Sequence, residues 1–237
     1  MINYSKQIME LAFRKLAEPS GTIILCSSGV DSIAASYYYN QHHQVNNPDS
    51  VHFAMLNHFN HGQRPQNDLV EEGFVKFSKD SRLKIPSYKV DNIKDRVKEK
   101  TEDGLRKARI EYIEQYHENT IFITAHHLDD AVESYLLNVL RGKEGYLPIP
   151  FITELKDNNL LVHPFLFTKK ADFIQYADRN DLMKYVVEDE TNKVTKGSRR
   201  NFIRNDICPL LQREMIGLDT IVKKKMKERL LLELIKN

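Results

Sequence analysis

Apolar, strand-like runs recur four times along this chain, each followed by residues with helical spacing, and no other feature restricts the fold as much. The runs are Thr22-Ile23-Ile24-Leu25, Val51-His52-Phe53-Ala54-Met55-Leu56, Ser87-Tyr88-Lys89-Val90 and Thr120-Ile121-Phe122-Ile123-Thr124-Ala125. Helical spacing covers about 4 to 16, Val30 to about Asn40, about 67 to 81, about 101 to 117, about 129 to 141 and about 168 to 180. Strands that alternate with helices pair in parallel, because parallel neighbours need crossover connections, and the helices then cover both faces of the sheet. The expected fold is therefore α/β and Rossmann-like. In such sheets ligands bind beyond the carboxyl ends of the strands, and that rule gathers three polar clusters into one crevice.

The first cluster is Cys26-Ser27-Ser28-Gly29-Val30-Asp31-Ser32. A strand that ends in small residues and turns straight into a helix leaves backbone N–H groups unpaired at the positive end of the helix dipole, which attracts phosphate. The loop lacks Gly-x-x-x-x-Gly-Lys-Ser/Thr, so no loop lysine holds a γ-phosphate. By itself it reads equally as a phosphate site and as an ordinary strand-to-helix turn. The second cluster runs from Asn57 to Arg64 and includes His58 and His61; the third is His126-His127-Leu128-Asp129-Asp130. Adjacent histidines do not converge from one helical face, so hydrogen bonding or helix capping fits His126 and His127 better than zinc does. Asp129, Asp130 and Glu133 open a helix, where acids are favoured structurally. At a nucleotide site such carboxylates also hold Mg²⁺ or an amine, and both readings stay open.

Composition sets outer limits. A chain of 237 residues with 41% hydrophobic content suits one large core, with or without a small helical appendage. The net charge of +2 is nearly balanced, so any basic surface must come from local clustering. Cys26 and Cys208, far apart, argue against a disulfide framework, a Cys-x-x-Cys zinc site or an iron–sulfur cluster and fit a reducing cytoplasm. No run reads as a signal peptide or membrane anchor, so no membrane partner is expected.

Ser27-Ser28-Gly29-Val30-Asp31-Ser32 resembles the Ser-Gly-Gly-x-Asp-Ser PP-loop of N-type ATP pyrophosphatases, whose fold is adenine nucleotide alpha-hydrolase-like. Further stretches resemble, in order, the motifs of tRNA(Ile)-lysidine synthetases within that superfamily. They are His58-x-x-His61-Gly62-x-Arg64, Leu105 through Tyr112, Thr124 through Ser134, Arg141-Gly142 through Gly145 and His163-Pro164-Phe165-Leu166. Glu188-Asp189-Glu190-Thr191-Asn192 and Arg200-Asn201-x-x-Arg204-x-x-Ile207-x-Pro209-Leu210 complete the series, which covers about 20 to 211. The resemblance implies a carbon–nitrogen ligase. In the reaction it implies, ATP activates C2 of the wobble cytidine of a tRNA(Ile) with a CAU anticodon as an adenylate, pyrophosphate leaves, and free L-lysine displaces AMP. It also implies a short form without further C-terminal domains. Residues 1–150 would be the catalytic PP-loop domain and 151–237 a small helical extension completing the active site and contacting tRNA.

Carried onto this chain, the resemblance makes Ser27, Ser28, Gly29, Val30, Asp31, Ser32 and His61 the ATP-binding residues, with Asp31 placing Mg²⁺. Asp31, Asp130, Arg106 and Arg109 become the catalytic residues, although Arg106 and Arg109, three apart, also suit a solvated helix face. His127, Asp130 and Glu133 would hold the lysine ammonium, and Arg141, Lys196, Arg199, Arg200, Asn201 and Arg204 would contact tRNA. Clustered cations beside Tyr185 and Phe202 suit phosphate and base contacts; a basic surface segment with Phe202 and Ile203 packed inside is the alternative. The tail from 215 to 237 reads as one amphipathic helix that docks or forms a homodimer. Three departures stand out: Gln63 and His163 replace a leucine and an arginine, and Ser28 adds a Cβ where backbone must approach phosphate. A related PP-loop enzyme with another nucleophile or RNA, and a non-enzymatic tRNA-binding module, are the rival functions.

Overall fold

The computed structural model describes residues 2–44, 54–62, 66–83, 85, 87–143, 148–187, 199–214 and 217–236. Within these, six strands form one sheet: β1 (Gly21–Leu25), β2 (Ala54–Asn60), β3 (Tyr88–Asn92), β4 (Thr120–Ile123), β5 (Ile152–Glu154) and β6 (Leu160–Val162). Their spatial order is β3-β2-β1-β4-β6-β5. Every pairing is parallel except β5 against β6. Thr120, Ile121, Phe122 and Ile123 are all buried, the continuous apolar pattern of a strand covered on both faces.

Successive side chains leave the sheet on opposite sides, and the core divides accordingly. Ile24, Ile121 and Ile123 join α1 (Ile2–Lys15), α2 (Val30–Tyr39), α3 (Asn67–Lys79), α5 (Leu128–Leu140) and α6 (Lys170–Arg179) in the larger core. Ile23 and Phe122 face the other way, against Ala108 and Ile113 of α4 (Glu102–Tyr116). A short helix, α7 (Arg199–Phe202), a π-turn at Ile203–Ile207 and α8 (Cys208–Glu214) lead to α9 (Leu218–Lys236). That last helix docks on α1 and α5 through Val222, Met226 and Leu230, which are fully enclosed.

Two expectations about strands need correction. β2 does not stop at Leu56: it carries Asn57, His58, Phe59 and Asn60 in register beside β3, so these residues are strand, not loop. Asn57 Nδ2 donates to Asp91 Oδ2 at 2.7 Å and Asn60 Nδ2 to Glu71 Oε2 at 2.6 Å, which offsets part of the cost of burial, while Asn57 Oδ1 is buried without a hydrogen-bond partner among the described residues. Beyond the four expected strands, β5 and β6 lengthen the sheet with residues on the far side of position 150. Their connection turns through Asp157 and Asn158, both with φ near +55° (55° and 56°), as a tight hairpin requires. The expected strand residues Val51–Phe53, and Gln63, Arg64, Gly145, Glu188–Asn192, Lys193 and Lys196 of the motif and RNA readings, lie outside the described residues.

The order of strands reverses at β1, whose successors in the chain go first to one side and then to the other. The crevice between the carboxyl ends of β1 and β4 is the topological switch point. It places the loop after Leu25 beside the loop after Ile123.

Candidate active site

The loop after β1 closes on the hydroxyl of Ser32. Ser27 N donates to Ser32 Oγ at 3.0 Å, and Ser32 Oγ donates to Gly29 O at 3.0 Å. Ser27 Oγ completes the ring at 3.2 Å from Ser32 Oγ. Gly29 caps α2 with extended backbone, so the N–H groups of Val30, Asp31 and Ser32 head the helix without intrahelical acceptors. A Cβ built on Gly29 would meet the protein no closer than Ser27 Oγ at 3.7 Å, an ordinary contact.

Ser28 answers the departure noted above. Its φ of 59° lies in the left-handed region and its side chain is completely buried. The hydroxyl donates to Val70 O of α3 at 2.8 Å, and the Ser28 carbonyl accepts from Val187 N at 2.9 Å. The added Cβ is thus spent on packing behind the loop, against Val70 and Gly73 of α3. Gly73 makes room there, since a Cβ on it would meet Val187 Cγ2 at 2.8 Å and Tyr185 O at 3.1 Å. An isolated glycine inside a helical pattern was the available signal for this close approach. From β2, His58 Nδ1 lies 2.9 Å from Cys26 O and braces the base of the loop; burial lowers its pKa, which keeps the ring neutral. His61, half-exposed, follows β2 at the same edge of the sheet.

Asp31, in the first turn of α2, meets the N-terminus of α5 through His127. His127 Nε2 is 3.5 Å from Asp31 Oδ2 and 3.4 Å from Asp130 Oδ2, and Nδ1 is 3.4 Å from Asp129 Oδ2. Burial opposes protonation of this ring, but the carboxylates of Asp129, Asp31 and Asp130 outweigh it and raise the pKa to about 10. The same contacts hold Asp129 down at about 2, against a burial effect of opposite sign, and Asp130 below the usual carboxylate range. His127 is also the N-cap of α5, its N–H donating to Asp130 Oδ2 at 3.0 Å. The Lys170 ammonium sits 3.9 Å from Asp31 Oδ2.

His126 takes a different role from its neighbour. Its Nδ1 is 2.8 Å from Thr124 Oγ1 and 3.1 Å from His163 Nδ1, and Thr124 Oγ1 also bonds His163 Nδ1. Burial holds His126 down at about 4 and His163 well below its ordinary value, so both rings are neutral hydrogen-bonding groups at pH 7. Arg109 of α4 is half-buried nearby while Arg106 is exposed; burial first, and then the like charge of Arg106, lower the Arg109 pKa.

The arginines expected to meet tRNA divide sharply. Arg200 and Arg204 turn inward onto α5. Arg200 bonds Glu133 Oε2 at 3.1 Å and Asp130 Oδ1 at 3.2 Å, and reaches Glu102 of α4. Arg204 bonds Glu133 Oε1 at 2.6 Å, Glu133 Oε2 at 2.9 Å and Asp130 Oδ1 at 3.3 Å. Arg199 is exposed and Asn201 half-exposed on the same turn. Arg141 is exposed at the C-cap of α5, about 20 Å along the helix from His127 at the rise of an α-helix. Phe202 is half-exposed at 50%, whereas Tyr185 is buried with its hydroxyl bonded to Asp80 and Arg82; Tyr185 is a structural tie, not a surface for stacking bases.

Comparison with known proteins agrees with this geometry. The profile of the PP-loop domain matches residues 3–211. A tRNA(Ile)-lysidine synthase of Coxiella burnetii is 34% identical over 161 residues, covering 66% of this chain and 34% of that protein. One from Streptococcus mutans is 28% identical over 219 residues, covering 90% of this chain and 47% of that protein. The chain spans about a third to a half of the length of these curated relatives. Among solved structures, the U34-tRNA thiolase NcsA from Methanococcus maripaludis, with its 4Fe-4S cluster, superposes with a TM-score of 0.67 at 15% identity, covering 96% of this chain and 77% of that one. That likeness speaks to the fold. With the loop, the switch point and the matched span together, the chain belongs to the PP-loop domain family.

Proposed function

We propose that this chain activates C2 of the wobble cytidine of a tRNA(Ile) bearing a CAU anticodon by adenylating its O2 and joins free L-lysine to that carbon, in the cytoplasm. The observation that carries the reading is that the Ser27–Ser32 loop and the α5 carboxylates open on one crevice, where Asp31 and Asp130 share His127. The names of the curated relatives support the same reaction.

The residues present fit ATP and Mg²⁺. The N-terminus of α2 offers N–H groups to phosphate, and Asp31 Oδ1 is buried without a hydrogen-bond partner among the described residues, an orphan that a divalent cation satisfies. Held by Asp31, Mg²⁺ would offset the negative charge that develops on the phosphate oxygens. The protein's own groups account for the rest. Cytidine O2 attacks the α-phosphorus as the α–β P–O bond breaks, and the loop N–H groups hold the departing pyrophosphate. The ε-ammonium of lysine first gives up a proton to water, the freed nitrogen lone pair bonds to C2, and the C2–O bond to AMP breaks while Asp130, ionised throughout, holds the nitrogen by hydrogen bonding. Asp130 is suited to anchoring an ammonium because its low pKa keeps it ionised.

The test is incubation with ATP, Mg²⁺, L-lysine and a CAU-anticodon tRNA(Ile), followed by mass spectrometry of the digested RNA. A lysine-dependent product with release of AMP is expected, and is lost in Asp31→Ala and Asp130→Ala. No lysine-dependent product with the parent chain would sink the reading.

A further inference from the structure

Asp130 and Glu133, proposed above to hold the lysine ammonium, already carry two cations of this chain. Both guanidinium groups touch both carboxylates, and Arg200 reaches on to the exposed Glu102. Glu133 and Asp130 are deeply buried, with side chains 4% and 11% exposed, while Arg200 and Arg204 keep about a quarter of their surface in solvent, at 25% and 27%. A buried carboxylate stripped of its partner is strongly unfavourable, so an ammonium enters this place by exchange. The arginines in turn need an anion to go to.

We propose that Arg200 and Arg204 form a latch that closes the amine site until the phosphates of a bound RNA draw them off, so that RNA and lysine bind cooperatively. The inference rests on the amine site proposed above. In the exchange the guanidinium groups leave the carboxylates for phosphates, which they match with paired N–H donors, and the ammonium takes the vacated place. The local backbone is built to swing. Arg200 lies in the four-residue α7 and Arg204 in the π-turn that joins it to α8, rather than in one regular helix, and π-turns are frequent at functional sites. Arg199, exposed on the same turn, is placed to meet phosphate first. Because the latch is tethered, its high effective concentration makes free lysine a poor competitor when RNA is absent.

Cys208 provides a reporter that does not depend on lysine. It follows the π-turn, is buried at 8% exposure, and its thiol is raised to about 11 by burial and by Glu133 and Asp129; a protonated, enclosed thiol reacts slowly. Lysine affinity would be measured by calorimetry with and without an anticodon stem-loop RNA carrying CAU, and Cys208 alkylation by peptide mass spectrometry under the same conditions. RNA should tighten lysine binding by about 10-fold or more, lysine should tighten RNA binding by the same factor, and RNA should speed labelling of Cys208. The double variant Arg200→Gln, Arg204→Gln should bind lysine without RNA and lose the coupling. Should that variant not fold, Glu102→Gln loosens the exposed end of the latch alone and should raise RNA-free lysine affinity.

Lysine affinity unaltered by RNA would overturn the latch, as would coupling without faster labelling of Cys208. RNA-accelerated labelling with no lysine binding under any condition would retain the RNA-driven opening and refute the amine site.

Discussion

At the scale of single residues, Ser28 shows how the fold accommodates a departure from a motif. Its left-handed backbone favours glycine, yet its hydroxyl is held by Val70 O. Ser28→Gly relieves about 1 kcal/mol of backbone strain and gives up a hydrogen bond worth about 1 kcal/mol. Urea unfolding should place it close to the parent, with unchanged ATP affinity. Ser28→Val, β-branched at positive φ and without the hydroxyl, should lose about 2–4 kcal/mol. The paired histidines make a second prediction, with opposite signs on neighbouring residues. His127 has a folded pKa of about 10, above its unfolded value of about 6.5, so its contribution is complete below the lower value and vanishes as pH rises through the higher. His126, at about 4 in the folded chain, contributes fully above about 6.5 and loses that contribution as pH falls through its folded pKa. Urea midpoints measured against pH in EDTA should show a flattened alkaline limb in His127→Gln and a flattened acid limb in His126→Gln. An unchanged alkaline slope in the first variant would contradict the carboxylate cage around His127.

Elements were legible where one periodicity ran long enough to outvote local chemistry. The α9 pattern predicted a docking or dimerising helix, and in this chain Val222, Met226 and Leu230 dock it at home. Met226→Ala should therefore destabilise by about 2–5 kcal/mol, whereas Leu232→Ala, on the exposed side at 52%, should change stability by no more than about 0.5 kcal/mol. Equal effects at the two positions in thermal unfolding would show that another face is packed. Strand ends were harder to read, because Asn57, His58 and Asn60 look like loop residues until their buried partners are known. β5 and β6 have three residues each, too few for a period to emerge. The inward turn of Arg200 and Arg204 was hidden for a related reason: sequence shows their charge but not the carboxylates brought to meet it from α4 and α5, about 100 and 70 positions away.

At the scale of the whole molecule, the sheet runs across the boundary that the resemblance implies near residue 150. β4 lies between β1 and β6, with Ile121, Phe122 and Ile123 paired to Leu160, Leu161 and Val162. Phe151, Phe165, Leu166 and Phe173, all within 1% of complete burial, close the larger core beneath α2 and α6. A fragment ending at residue 150 would expose the backbone edge of β4, a template for aggregation, and would leave the apolar faces of α2 and β4 without these side chains. Folding of the two halves is therefore expected to be one event. The full chain should unfold in urea through a single transition seen alike by tyrosine fluorescence and far-ultraviolet circular dichroism. Residues 1–150 expressed alone should show no cooperative transition and should recover one on mixing with 151–237, since the strand edge of β4 and the core it faces are complementary to that half. Cooperative unfolding of 1–150 by itself would mean that the β4–β6 seam adds little, and that the nucleotide loop and the carboxylate–arginine centre can be built by separable parts.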